Sequence, residues 1–235
     1  MLFRGMSIQR IDTYLVNKDD AFPSIGIESE RLNECLAEFK RGGFQGVFGS
    51  PCFGFHENNL DFLREIPSAS RVWFWDCTFE SVDGIYFLQD LKNCGVMDVR
   101  PGIDFSRFPR LETLVAHWSS RDSGLAEAAI RKLYLWHYNP RQKKFLDLKL
   151  PPRLEHLELT WLNPPSLEGI RPLPQLKELQ IHRGRDIADL SMLPTFAPRL
   201  KKLIVTTCKR LKNYEGIVNH PTLELAIVDG TRVRG

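Results

Sequence analysis

Apolar residues recur along this chain in one six-residue figure, L-x-x-L-x-L, usually just after a proline. Clear copies begin at Leu111 (LETLVA), Ile130 (IRKLYL), Leu154 (LEHLEL), Leu176 (LKELQI) and Leu200 (LKKLIV). Weaker ones begin at Phe44 (FQGVFG), Ala69 (ASRVWF), Leu88 (LQDLKN) and Leu223 (LELAIV). Successive starts lie 25, 19, 23, 19, 24, 22, 24 and 23 residues apart. One short strand therefore recurs about every 22 residues.

The linkers carry a second pattern. Val82, Ile85, Leu88 and Leu91, and again Leu167, Ile170, Leu173, Leu176 and Leu179, are spaced by three. A period of three suits 3₁₀ turns. The first 43 residues do not repeat. RIDTYLV reads as a strand and SERLNECLAEFKRGG as a helix, with Ser29 as N-cap, Leu32, Cys35, Leu36 and Phe39 on one face and Gly42-Gly43 as the stop. A repeat array exposes its first core unless something covers it. Residues 1–43 are thus expected to be an N-terminal cap on about nine repeats over residues 44–235, one structural domain overall. The closing DGTRVRG offers no comparable cap and is expected to fray or to present a usable edge.

In these figures and spacings the chain resembles the leucine-rich repeat proteins, in an irregular form, over residues 44 to 230. The resemblance implies an α/β solenoid: a leucine-rich repeat horseshoe with a curved parallel sheet on its concave face, a 3₁₀ or irregular convex side and an N-terminal helical cap. Three departures stand out. The repeat lengths vary, the asparagine usual at position nine is mostly missing, and Asn93 and Ala116 fall where leucine is normal. Cys52, Cys77 and Cys208 all fall at position nine, where the family holds Asn or Cys bonded to turn backbone. Those three are expected to be structural.

The same resemblance turns positions one, four and six into the core and positions three, five and seven onto the concave face. In RVWFWDC, Val72 and Phe74 become core residues, while Trp73 and Trp75 face out between Arg71 and Asp76. Tyr134 and Trp136 form a second aromatic pair, three strands on, or roughly 15 Å at about 4.8 Å per strand. All five tryptophans (73, 75, 118, 136 and 161) fall at positions five, seven or eight, off the core ladder. Lys92, His117, Lys132, His156 and Glu158 surround the pairs. Aromatic anchors rimmed by charge are how protein-binding hot spots are built. The competing reading is that the indoles lie flat and tile the sheet.

Composition changes this picture little, and charge adds to it. The chain is ordinary globular material, 43% hydrophobic and 26% charged, with no run long enough to span a bilayer and no leader-like apolar stretch at its start. A cytoplasmic protein is expected. Five cysteines without C-x-x-C suit reduced thiols. Residues 1–100 hold 10 Lys/Arg against 15 Asp/Glu, whereas residues 197–235 hold 8 against 3. Lys201, Lys202, Lys209, Arg210, Lys212, Arg232 and Arg234 give that end a basic character that could steer an acidic partner or hold phosphates.

Motifs for hydrolases, zinc proteases, phosphate loops and dinucleotide binding are absent, and GGFQGVFG lacks the Lys-Ser/Thr that a phosphate loop needs. Cys94 and His117, both read at position seven on neighbouring strands, are the one pair that could act as nucleophile and base. No oxyanion-stabilising group is evident beside them. Neither a cofactor nor a metal site is expected. The favoured expectation is a non-catalytic protein-protein interaction module, an adaptor or inhibitor, one version being an immunity protein that neutralises a cognate toxin. Nucleic-acid binding through the basic repeats and catalysis by Cys94/His117 are the alternatives; membrane and small-molecule partners are not expected.

Overall fold

A computed structural model describes residues 8–18, 22–96 and 99–235, and the chain divides into two compact units, residues 1–115 and 116–235. The first seven residues, where a leader would be sought, lie outside the described ones. Among the described residues no helix is long and apolar enough to cross a membrane. Each unit is built on a mostly parallel sheet whose strands follow chain order.

The first unit holds β1 (Ile8–Ile11), β2 (Tyr14–Asn17), β3 (Ser24–Gly26), helix α1 (Leu32–Arg41), β4 (Gly46–Gly49), β5 (Arg71–Phe74) and β6 (Asn93–Val96). RIDTYLV is a hairpin rather than one strand: β1 and β2 pair antiparallel across Asp12, which takes the left-handed φ of 51° that the tight reversal needs. From β3 onward the pairing is parallel. Ser29 does not cap α1; it opens a 3₁₀ turn (Ser29–Arg31), and its Oγ accepts a hydrogen bond from His56 N–H at 2.8 Å. Cys35, Leu36 and Phe39 of α1 are buried as their spacing predicts. Of the two period-three linkers, the one from Val82 to Leu91 holds a 3₁₀ helix at Asp83–Phe87, whereas the one from Leu167 runs through bends and turns without one; Asp61–Glu65 is a further 3₁₀ helix.

One repeat sits three residues later than its pattern suggests. Arg71, Val72, Trp73 and Phe74 pair with Asn93, Cys94, Gly95 and Val96, so the figure begins at Leu91 (LKNCGV), not Leu88. Cys94 and Val96 are the buried ladder residues, and Asn93 is no longer an anomaly at a leucine position. The cause is physical: a linker with leucine at 88 and 91 offers two starts, and this strand's core residues are small.

Strand β7 (Thr113–His117) carries the chain across the division. The second unit then holds β8 (Lys132–Trp136), β9 (His156–Thr160), β10 (Glu178–His182), β11 (Lys202–Thr206), β12 (Leu225–Val228) and β13 (Thr231–Arg234), with single helical turns α2 (Leu193–Phe196) and α3 (Glu215–Val218). Strands β8 to β12 pair in parallel without slip, aligning Leu133, Leu157, Leu179, Leu203 and Ala226, and likewise Leu135, Leu159, Ile181, Val205 and Val228. All ten are buried. The end does not fray. Asp229-Gly230, both at positive φ, turn the chain so that β13 pairs antiparallel with β12. Arg234 then donates to the carbonyls of Ile217 and Val218, in the last turn of α3, and of His220 just beyond it.

Neighbouring layers touch at glycine. A Cβ on Gly84 would lie 1.7 Å from the carbonyl oxygen of Leu60, and one on Gly216 would lie 2.1 Å from that of Leu190. Backbone cannot swing aside as a side chain can. Gly84→Ala is therefore expected to lower unfolding free energy by about 1–3 kcal/mol, as overpacked cores do. Urea denaturation checks this, and an unchanged midpoint would show that the layers have slack.

Candidate functional site

The expected partner-binding residues divide between the units. In the first, Trp75 is 2% exposed, stacked on Phe48 at 6.2 Å and edge-on to Phe53 at 5.8 Å. Trp73 lies across Gly95, where a Cβ would come within 2.6 Å of the indole. Arg71 is buried with its guanidinium over Trp73 and Phe22, at 5.7 and 6.0 Å. Trp75 and Arg71 are thus buried in packing, while Trp73 stays half-buried. Lys92, read at position five, falls instead at position two, before β6, and is exposed. Cys94, read beside His117 on the open face, is a ladder residue 1% exposed. A thiol inside the core is no accessible nucleophile.

The second unit has a different surface. Its sheet face carries Lys132, His156, Glu178 and Lys202 in one row, Tyr134, Glu158, Gln180 and Ile204 in the next, and Trp136, Thr160, His182 and Thr206 in a third. Tyr134 packs on His156 at 4.8 Å. Glu178 accepts from Lys202 and Gln180, each at 2.8 Å, and faces His156 Nδ1 at 3.4 Å. Gln180 and Thr206 hold the two ring nitrogens of His182 at 3.0 and 2.6 Å. Lys132 is exposed, and Glu158 accepts from the Thr160 hydroxyl at 3.2 Å. Burial of Glu178 opposes its ionisation, but the donors and the His156 charge outweigh it and hold its pKa below the usual carboxylate value.

At the carboxyl ends of these strands the chain does something unpromised by its pattern. His137, Trp161 and Arg183, each one residue past a strand, have φ of 59, 55 and 55°. Their N–H groups extend the ladder, donating to Thr160, His182 and Thr206 carbonyls at 2.9, 3.0 and 2.8 Å. The turn therefore requires the left-handed region, where Asn, Asp or Gly sits most cheaply. Asp76, at φ 56°, is such an economical choice in the first unit. A bulky residue there costs about 1–2 kcal/mol.

These three costly residues stack on one another. His137 lies parallel to Trp161 at 4.7 Å and 10°, and the Arg183 guanidinium covers the indole at 4.7 Å. Since β8 and β10 flank β9, the imidazole and guanidinium approach from opposite sides. Trp136 meets Trp161 edge-on at 5.1 Å and stacks with His117 at 5.9 Å, and His117 meets His137 at 4.8 Å. His137 and Arg183 are exposed, Trp161 and His117 half-buried, and Trp136 buried at 9%. Trp136 Nε1 and His156 Nε2 are buried without a hydrogen-bond partner. Arg183 and His137 escaped the sequence reading because it stopped at position seven; the tryptophan at position eight was the signal.

The position-nine cysteines split. Cys77 and Cys208 are buried and donate to the carbonyls of Trp75 and Thr206 at 3.2 and 3.6 Å, and burial pushes the Cys208 thiol up to about 11. Cys52 is exposed in a 3₁₀ turn, beside Ser50 Oγ at 3.2 Å. Among the described residues no group of three or more His, Cys, Asp or Glu could hold a metal ion. Set beside known proteins, the chain matches no family model and no curated protein.

Burial lowers the His156 pKa, and this outweighs the attraction of Glu178. His220 behaves alike: Thr222 N–H donates to its Nδ1 at 3.3 Å, which leaves Nε2 protonated and donating to Ala197 O at 3.0 Å, a neutral ring. With the folded pKa below the unfolded one, the unfolded chain binds more protons. This contribution to stability is therefore full above pH 6.5 and is lost as pH falls below that value. His156→Gln is expected to flatten part of the fall in urea midpoint between about pH 7 and about pH 5. An unaltered slope would mean that the buried ring does not set it.

Proposed function

We propose that this chain is a leucine-rich repeat protein that binds another protein, without catalysis, through the sheet face and strand-end stack of its second unit. The recurrent six-residue figure and the unslipped parallel register support the repeat assignment. The observation that carries the binding reading is the His137–Trp161–Arg183 stack. Three successive strand ends place strained, bulky groups where a small polar residue would serve the fold better. The core gains little from them, because His137 and Arg183 are exposed.

Tryptophan and arginine are the residues that most often dominate binding energy at protein interfaces. Here they are pre-stacked, so a partner meets side chains whose freedom is already lost. Tyr134, His156 and Glu158 extend the contact surface along the face, with Lys132 at its rim. An inhibitor that covers a toxin's active site would use a face of this kind.

Asparagine tolerates the left-handed conformation, so Trp161→Asn with Arg183→Asn separates fold from function. The pair is expected to change unfolding free energy by less than about 1 kcal/mol. It should weaken capture of the wild type's partner from cell extract at least about thirtyfold, a hot-spot loss of about 2 kcal/mol or more. Unfolding, or capture equal to wild type, would make the stack a structural element.

A further inference from the structure

We propose that Lys143, Arg185 and Arg210 form an anchoring site for a carboxylate on an acidic segment of the partner protein. This rests on the protein-binding reading and adds the partner's chemistry. The three cations gather on one carboxylate. Asp186 receives Lys143 Nζ at 2.8 Å on one oxygen, and Arg210 at 3.0 Å and Arg185 at 3.7 Å on the other. Its side chain is 7% exposed, whereas those of Lys143, Arg185 and Arg210 are 52, 74 and 67% exposed. Three positive charges thus share one buried negative charge.

Asp186 does what a scaffold does. It holds like charges together that would otherwise repel, and its hydrogen bond from Lys143 keeps its own carboxyl ionised, with its pKa below the usual range. Each guanidinium carries five N–H donors, of which Asp186 uses only part, in the fork that fits a carboxylate. The site borders the stack, since Arg183 and Arg185 flank Gly184 in the turn after β10. The second unit as a whole holds 20 Lys/Arg against 12 Asp/Glu, so its field draws anions.

A nucleic acid fits less well. Phosphate binding wants an uninterrupted basic track, yet Lys144, Lys201 and Lys202 are matched by Glu168, Glu224 and Glu178. A base needs a bare aromatic face, and both faces of Trp161 are taken, by His137 and Arg183. The acidic protein segment is the better match.

Fluorescence anisotropy of a labelled oligoglutamate peptide, at low salt, tests the site. Arg185→Gln with Arg210→Gln is expected to weaken binding about tenfold or more. Arg153→Gln with Arg171→Gln, equal in charge and exposed in the same unit, should cost less than about threefold. Should the first pair unfold, Arg210→Gln alone leaves Lys143 and Arg185 on Asp186 and is expected to cost about threefold. Equal losses from both pairs would overturn the site, and so would tighter binding of oligothymidylate that the first pair abolishes. Wild type that ignores oligoglutamate but still captures a Trp161-dependent partner overturns the anchor and leaves the protein-binding reading standing.

Discussion

The parallel hydrogen-bond ladder of the second unit, held in register from β8 to β12, is the constraint on which the rest depends. A slip of one residue would exchange the buried and outward faces of a strand. Two leucine-type residues per strand prevent it, because turning Leu157 and Leu159 outward would expose both and bury Glu158. Once the register is set, so is the place of every outward residue. Tyr134, Glu158, Gln180 and Ile204 fall in one row by geometry alone, and Trp136, Thr160, His182 and Thr206 in the next.

The strand ends show where fold and function pull apart. Strands β8, β9 and β10 each leave the sheet through a left-handed residue whose N–H makes one more ladder bond. That bond fixes the backbone conformation but not the side chain. Asp76 meets the requirement cheaply, while His137, Trp161 and Arg183 meet it expensively and stack. Two unsatisfied buried polar atoms, Trp136 Nε1 and His156 Nε2, lie on the same unit's face and add to that cost. Stability given up repeatedly on one surface is the ground on which a binding role is proposed for it.

The second unit was legible because its repeats satisfy both core positions with large apolar residues. The first was legible only in part. LQDLKNCGV contains leucine at two starts three residues apart, and its core residues, Cys94 and Val96, are too small to choose between them. A count of 22 residues from Ala69 to Leu91 would have found the right one. Trp73 and Trp75 were expected to face out, yet Phe48 and Gly95, on the neighbouring strands, pack against them. Such cross-strand neighbours are invisible until the register is known. The Asp229-Gly230 hairpin was visible all along as a two-residue turn signal, whereas no local pattern announces a left-handed tryptophan.

Cysteine scanning along β9 and its exit turn tests the central claim most directly. On a Cys52→Ser background, single cysteines would be placed in turn from His156 to Trp161 and their reaction rates with a thiol reagent compared. The account predicts fast labelling at 156, 158 and 161 and slow labelling at 157, 159 and 160, alternation followed by a step at the turn. The opposite alternation, or a silent position 161, would contradict the register and with it the surface built on it.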